Sequence, residues 1–402
     1  MAEQFGSYTL LKQIGVGGMA EVFLARHSGV EGFEKDIVIK RIRSNLSAQP
    51  SFVNMFLGEA KLAAQLSHPN IVQIYDLGKI KDSYFIAMEY IDGRDMSAVV
   101  PKAQDKGIPF PVEYALKIAS NVCEALHYAH SKADQFGNPL HIVHRDVSPE
   151  NIRIGWTGSV KILDFGIAKA TTQVNETKAG QIKGKLSYMS PEQVLGKDID
   201  HRSDIFSLGV VLYETLTGIK LFSGDTDMAI MNNIAEGKIY PPSYFREDIP
   251  GGVEEILMKA LEREPKKRYQ TADDLQFDLD SFLAGHEFTP SNVHLAGFMK
   301  QLFTDELQAE QTAQRVQSPA REQPTNAGGL NEEPLELPPP PPSPSEEYEL
   351  PGDLVEEASA AESMTVAIPA QEQEKLEALA QRHETTPHDI VLDIVRHYLK
   401  YN

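Results

Sequence analysis

Two carboxylates and one carboxamide stand at loop positions near the middle of this chain. His144-Arg145-Asp146-Val147-Ser148-Pro149-Glu150-Asn151 carries the first Asp and the Asn. Asp164-Phe165-Gly166 carries the second Asp, directly after the apolar run Val160-Lys161-Ile162-Leu163. Each group lies just outside a short hydrophobic strand. Transfer of a phosphoryl group needs such a set: one Asp to orient the attacking hydroxyl, and a second Asp with an Asn to hold Mg²⁺ on nucleotide phosphates. Either tripeptide alone is a weak signal. Both together, in this order and behind a Gly-rich turn, are specific, and the competing reading is two unrelated Asp-containing surface turns.

The elements that must position these groups begin upstream. Tyr8 to Ile14 alternates like a strand, Gly15-Val16-Gly17-Gly18-Met19-Ala20-Glu21-Val22 follows, and Phe23-Leu24-Ala25 resumes a strand. Strand, Gly-rich turn and strand can lay backbone N–H groups over phosphates because glycine has no Cβ in the way. A dinucleotide fingerprint would need a helix after the glycines, whereas Val22, Phe23 and Leu24 favour strand. Asp36 to Ile42 reads as a second strand and carries Lys40. Phe52 to Leu66 has helical spacing and offers Glu59 as the carboxylate that fixes Lys40, with Glu34 and Asp36 as alternatives. Ile71 to Leu77 and Tyr84 to Met88 read as strands, and Glu89-Tyr90-Ile91-Asp92-Gly93 breaks the pattern as a hinge between a strand-rich and a helix-rich part.

Val112 to His130 predicts a long helix, with Ala115, Ile118, Ala119, Val122, Ala125, Leu126 and Ala129 on one side and His127 and His130 as ordinary helix residues. Asp134 to Pro139 reads as a turn-rich insertion. Ile167 to Met189 is polar and without steady period, closed by Ser190-Pro191-Glu192. Asp204 to Leu216 fits a buried helix in which Asp204 is expected to cap backbone N–H groups, further helices are expected over Asp225 to Ala235, Gly252 to Leu261 and Ala272 to Leu283, and Arg268 is the candidate buried partner of Glu192.

The bulk numbers exclude several classes. At 402 residues the chain holds more than one unit. The net charge of −20 speaks against a general nucleic-acid surface. The single cysteine, Cys123, cannot form an internal disulfide, and no Cys/His cluster suggests zinc. The N-terminus lacks the pattern of a signal peptide and no apolar run approaches the length of a membrane span, so a cytoplasmic protein is expected.

These motifs resemble the eukaryotic-like (Hanks-type) Ser/Thr protein kinases of bacteria, over about residues 8–284, and the Gly-Gly-Met-Ala-Glu-Val wording is typical of that group. The resemblance implies an α+β, bilobal kinase fold, with a small β-rich lobe and a larger helical one, that uses ATP and Mg²⁺ on protein substrates. It implies that Ile14, Gly15, Gly17, Val22 and Val38 enclose the nucleotide and that Lys40 binds its phosphates, paired with Glu59. Met88 would be the gatekeeper, and Glu89 and Ile91 would supply hinge contacts to adenine. Asp146 would be the catalytic base, and Asn151 and Asp164 the Mg²⁺ ligands. Arg145 before that Asp implies control by phosphorylation, at Thr171, Thr172, Thr177 or Ser187.

Four positions depart from the pattern. Ala20 replaces the third glycine. Ser148 replaces the lysine two positions after the catalytic Asp, which in the family steadies the transferred phosphate. Lys185 stands where these kinases have Thr, beside that missing lysine, so a swap is expected in which Lys185 supplies the charge. Arg153 replaces the apolar residue under adenine, where either its aliphatic stem covers the ring or ATP binds weakly.

Beyond the kinase-like part, residues 285–315 read as a helical extension. Residues 316–363 form an acidic, Pro-rich linker expected to be disordered, with Pro338 to Pro342 either a stiff spacer or a site for an SH3-like partner. Residues 364–402 resemble a ribbon-helix-helix module: Thr365 to Ile368 alternates as a strand and two short helices follow. About 39 residues cannot bury a core alone, so a homodimer through this segment is expected rather than DNA binding. The readings left open are an active kinase that phosphorylates itself, a pseudokinase scaffold motivated by Ser148 and Arg153, and a DNA-associated regulator.

Overall fold

A computed structural model of the protein describes residues 3–29, 32–165, 183–286 and 288–317. The chain divides into two units, Met1–Gln314 and Arg315–Asn402. The readings of Thr171, Thr172 and Thr177, of the linker and of the ribbon-helix-helix segment lie outside the described residues.

The first part of the chain builds an antiparallel sheet from β1 (Glu3–Phe5), β2 (Tyr8–Val16), β3 (Ala20–Ser28) and β4 (Glu34–Ile42). Helix α1 (Pro50–Ala63) intervenes before β5 (Ile74–Ile80) and β6 (Ser83–Glu89) complete it, in the order β1-β2-β3-β4-β6-β5. Period-2 alternation gives the sheet two apolar faces. Val38, Ile42, Ile86 and Met88 pack with Phe56 and Ala60 of α1. Phe5, Tyr8, Ile37, Ile39 and Phe85 fill the other side. Ala20, in place of a third glycine, is the first residue of β3, opposite Ile42, and its Cβ is buried. The strand expected from Ile71 starts later, at Ile74: Ile71 instead bridges Ile162 in parallel, tying this sheet's approach to the second one.

That second sheet is small: β7 (Gly93–Asp95), β8 (Ile152–Gly155) and β9 (Val160–Ile162), in the order β7-β8-β9. Gly93 is required at its edge, since a Cβ there would run into the Ile154 carbonyl. Helix α2 (Met96–Asp105) was not expected because Pro101 lies inside it. Burial of Met96, Val99, Val100 and Ala103 offsets the roughly 3 kcal/mol that an interior proline costs.

The helical part is organised on α3 (Val112–His130), which has the bounds the spacing predicts. The short α4 (Lys183–Leu186) and α5 (Pro191–Val194) precede α6 (Arg202–Thr217), α7 (Asp227–Glu236), α8 (Gly251–Ala260) and α9 (Ala272–Ala284). Asp204 caps backbone N–H groups as expected, but from inside the helix, where it is fully buried, and the N–H groups belong to the His144–Arg145 segment rather than to α6. Two further helices, α10 (Asn292–Leu302) and α11 (Thr304–Gln317), close the helical part, with Leu295, Met299, Leu302 and Phe303 entering its core. Among the described residues no helix is long and apolar enough to cross a membrane.

Candidate active site

The loop that carries Asp146 has no regular structure, so its backbone polar groups need partners elsewhere. Asp204 accepts the His144 N–H through Oδ2 at 2.7 Å and the Arg145 N–H through Oδ1 at 2.8 Å. The Gln193 amide donates to the Arg145 carbonyl at 3.0 Å. Asn151 Nδ2 donates to the Asp146 carbonyl at 2.8 Å and to its Oδ2 at 3.1 Å. The His144 ring joins the two Asp-bearing segments: Nδ1 accepts the Asp146 N–H at 3.2 Å and Nε2 donates to the Leu163 carbonyl at 2.8 Å. These partners fix one neutral tautomer, and full burial keeps the imidazole below its ordinary pKa. Arg145 and Asp164 both adopt left-handed backbone, with φ of 65° and 44°. Such conformations cost of order 1–3 kcal/mol and persist where their surroundings over-determine them.

Asp204 is held from a third side by His130 Nε2 at 2.8 Å. Burial works against its charge, but His130, His144 and the loop N–H group keep its pKa below the usual carboxylate range. Asp204 is thus an anionic anchor for the catalytic loop. The sequence points to an acid that caps backbone N–H groups at the start of a helix, without showing which groups they are. His130 is likewise more than the ordinary helix residue expected, and Gln193 was not singled out at all, although Ser190 and Gln193 form a capping box at α5.

Lys40, on β4, meets Glu59 of α1 at 3.1 Å and Asp164 at 2.9 Å. Burial disfavours its ammonium, yet the two carboxylates outweigh that and hold its pKa above the ordinary value. Glu34 and Asp36, the other candidates for Lys40, both pair with Arg26 instead. The donor set suits a magnesium ion. Asp164 offers a carboxylate and Asn151 a carboxamide whose NH₂ is turned to Asp146, so its oxygen faces away. Among the described residues no group of three or more His, Cys, Asp or Glu could hold a metal alone. Mg²⁺ commonly takes one or two protein oxygens and fills its shell with phosphate oxygens and water.

Val22, Val38, Met88 and Ile91 belong to one apolar cluster on the sheet side of this site, whereas Ile14 and Val16 at the Gly-rich turn are exposed. Gly17 N–H closes the turn on the Ala20 carbonyl at 2.8 Å. A Cβ at Gly15 or Gly17 would meet only ordinary contacts, so nothing inside the protein demands glycine there. Glu89 is fixed by Lys161 at 3.0 Å and by the Gln73 N–H at 3.2 Å.

Arg153 does not lie with its stem simply filling the floor of the site. Its Nε donates to the Ile91 carbonyl at 2.7 Å and its Nη2 to the Gly93 carbonyl at 2.8 Å, because β8 pairs with β7 and points the guanidinium at the hinge. Lys185 reaches Asp146: its Nζ is 2.8 Å from Oδ2. Ser148 is buried, and its Oγ has no hydrogen-bond partner among the described residues. Ser187, a candidate phosphorylation site, is buried. Below the site, Arg268 makes a two-pronged pair with Glu192 at 2.7 and 2.8 Å, as expected, and Ser203 adds a third hydrogen bond to that carboxylate.

Residues 8–278 match the protein kinase domain model. Tyrosine-protein kinase MasK of Myxococcus xanthus is 43% identical over 306 residues, which make up 76% of this chain and 47% of that protein. Serine/threonine-protein kinase PknB of Mycobacterium leprae is 39% identical over 279 residues, covering 68% of this chain and 42% of PknB. The PknI kinase domain of Mycobacterium tuberculosis aligns with a TM-score of 0.51 and 27% identity, over 69% of this chain and 97% of that one. The chain thus spans less than half the length of these two curated relatives. The match over residues 8–278 and the sheet, helices and loops just described agree, and the chain belongs to the protein kinase family.

Proposed function

We propose that the protein transfers the γ-phosphate of Mg-ATP to serine or threonine hydroxyls of proteins, its own activation segment among them. The observation that carries this reading is the junction at Lys40, where one ammonium meets Glu59 and Asp164 at once. That contact joins the sheet, α1 and the second Asp loop into one site, next to Asp146 and Asn151. Lys40 would bind nucleotide phosphates while Glu59 holds it in place. Gly15 and Gly17, which no internal contact requires, leave room for those phosphates. Asn151 and Asp164 would hold Mg²⁺, which supplies charge neutralisation on the phosphate oxygens. Asp146 would orient the acceptor hydroxyl and take its proton. Arg145 Nε is buried without a hydrogen-bond partner among the described residues, which supports a role in receiving a phosphate from the segment that precedes Lys183.

Tyrosine is the second acceptor to test, because MasK is named a tyrosine kinase. Incubation with radiolabelled Mg-ATP and dephosphorylated casein, followed by phosphoamino-acid analysis, separates the readings. Phosphoserine and phosphothreonine support the proposal. Phosphotyrosine alone would replace its acceptor, and no transfer from a folded, nucleotide-binding sample would favour a scaffold. Self-association through residues 364–402 would bring two kinase domains together for transfer in trans. Sedimentation of the full chain against one ending at 315 reads this directly, and an unchanged mass would refute it.

A further inference from the structure

The site lacks a lysine on the catalytic loop and gains one from outside it. We infer that Lys185 is the catalytic cation that steadies the transferred phosphoryl group, in place of a residue at position 148. Three observations carry this. Lys185 Nζ lies 2.8 Å from Oδ2 of Asp146, the proposed base. Its side chain is 37% exposed while that of Asp146 is 11%, so the lysine is the more open of the two. At the position two after Asp146, Ser148 is buried with its Oγ unpartnered, so that position presents no charge to the site.

The base of Lys185 is firm. It lies in α4, and the residues that follow, Leu186, Ser187 and Tyr188, are all buried. The Tyr188 hydroxyl donates to Glu214 at 2.5 Å and anchors the turn to α6. Burial acts against the Lys185 ammonium, but Asp146 and, more weakly, Glu150 and Asp164 keep its pKa above the ordinary value, so it remains a cation. Lys40 is already committed to Glu59 and Asp164.

The acceptor oxygen forms a bond to the γ-phosphorus, the bond to the β–γ bridging oxygen breaks, and ADP leaves with the electron pair. The acceptor proton passes to Asp146. Lys185 keeps its protons and pairs with the peripheral γ-oxygens, where charge is spread in the transition state. A purely structural Lys185 would act only through Asp146. A resting lock would mask Asp146 and slow the enzyme.

This inference rests on the proposed phosphoryl transfer. The test is single-turnover transfer from Mg-ATP to casein by the full chain, with ATP affinity measured alongside. Lys185→Ala should lower kcat on the order of 10²-fold and change the KM for ATP by less than about threefold. Lys185→Cys should be equally slow and recover on alkylation with 2-bromoethylamine, which rebuilds the ammonium. The single native cysteine, Cys123, is fully buried and out of reach of that reagent. In an Asp146→Asn background, Lys185→Ala should cost a further factor of about ten or more. No further loss in that background would make Lys185 a positioning residue and overturn the inference. So would an unchanged or raised kcat in Lys185→Ala. A wild type that transfers no phosphate would instead fail the proposed function itself.

Discussion

The carboxylate of Asp204 accepts the backbone N–H groups of both His144 and Arg145, at 2.7 and 2.8 Å, from a helix that follows them by 60 positions in the case of His144. One buried anion therefore sets the height of the catalytic loop over α6. Asp204→Asn replaces one acceptor by an NH₂ group that faces an N–H donor. The variant is expected to lose about 2–3 kcal/mol in urea unfolding and most of its phosphoryl transfer, with the loss in kcat exceeding the change in ATP affinity. A variant of wild-type stability would show that the loop is held by other bonds.

Glu192 and Arg268 are the second buried ionic device. Arg268→Ala leaves an uncompensated carboxylate and is expected to cost about 3–5 kcal/mol. The pair also predicts a pH dependence. Burial opposes the charge on Glu192, but Arg268 and Ser203 overcome this and hold its pKa below the ordinary glutamate value. A depressed carboxylate stabilises the fold above its unfolded pKa, and the benefit is lost as pH falls through the lower folded value. Urea titrations from pH 7 down to 3 should therefore show a steeper acid loss for the wild type than for Glu192→Gln. Parallel curves would contradict the assignment.

The helical extension stabilises the kinase fold through packing more than through charge. Phe303 is buried and meets Trp156 edge-on at 5.7 Å, with Arg94 over both rings. Gly158, at φ +79°, lets α10 come so close that a Cβ would strike the Asn292 carbonyl. Phe303→Ala should cost about 3–5 kcal/mol. Glu310→Ala breaks an exposed pair with Arg94 and should cost less than about 1 kcal/mol. Equal effects in thermal denaturation would mean that the extension is held by charge instead.

Arg153 ties the hinge through two carbonyls, at Ile91 and Gly93. Arg153→Met keeps the apolar stem and removes both bonds. The KM for ATP should rise by about three- to tenfold with kcat little changed, since the guanidinium is on the hinge side of the site. A fall in kcat alone would place Arg153 in the chemistry.

The legible parts of this protein are those where residue type and spacing meet a strict physical need. Helix α3 has the predicted bounds because its apolar face keeps one period for 19 residues without Gly or Pro. Lys40 with Glu59 and Glu192 with Arg268 were found because buried charges need opposite charges. Lys185 beside Asp146 followed from a resemblance in which one cation was missing and another added. What escaped was held by backbone groups, which leave no mark on residue type. Asp204 reads as an acid that caps backbone N–H groups, but not which ones, since any loop sequence would offer them, and Gln193 serves a carbonyl. The direction of Arg153 depended on β7, which is three residues long and too short to show alternation. Helix α2 was hidden by Pro101, a local signal that burial overrides.

In the proposed reading Asp146 and Lys40 serve one phosphoryl transfer from Mg-ATP. The most direct measurement is intact mass with site mapping after incubation in Mg-ATP, for the wild type, Asp146→Asn and Lys40→Met. Phosphate is expected on the wild type, with Thr171, Thr172 or Thr177 among the sites, and no more than a trace on either variant over the same incubation. A folded wild type that gains no phosphate, or an Asp146→Asn variant that gains as much as the wild type, would contradict it.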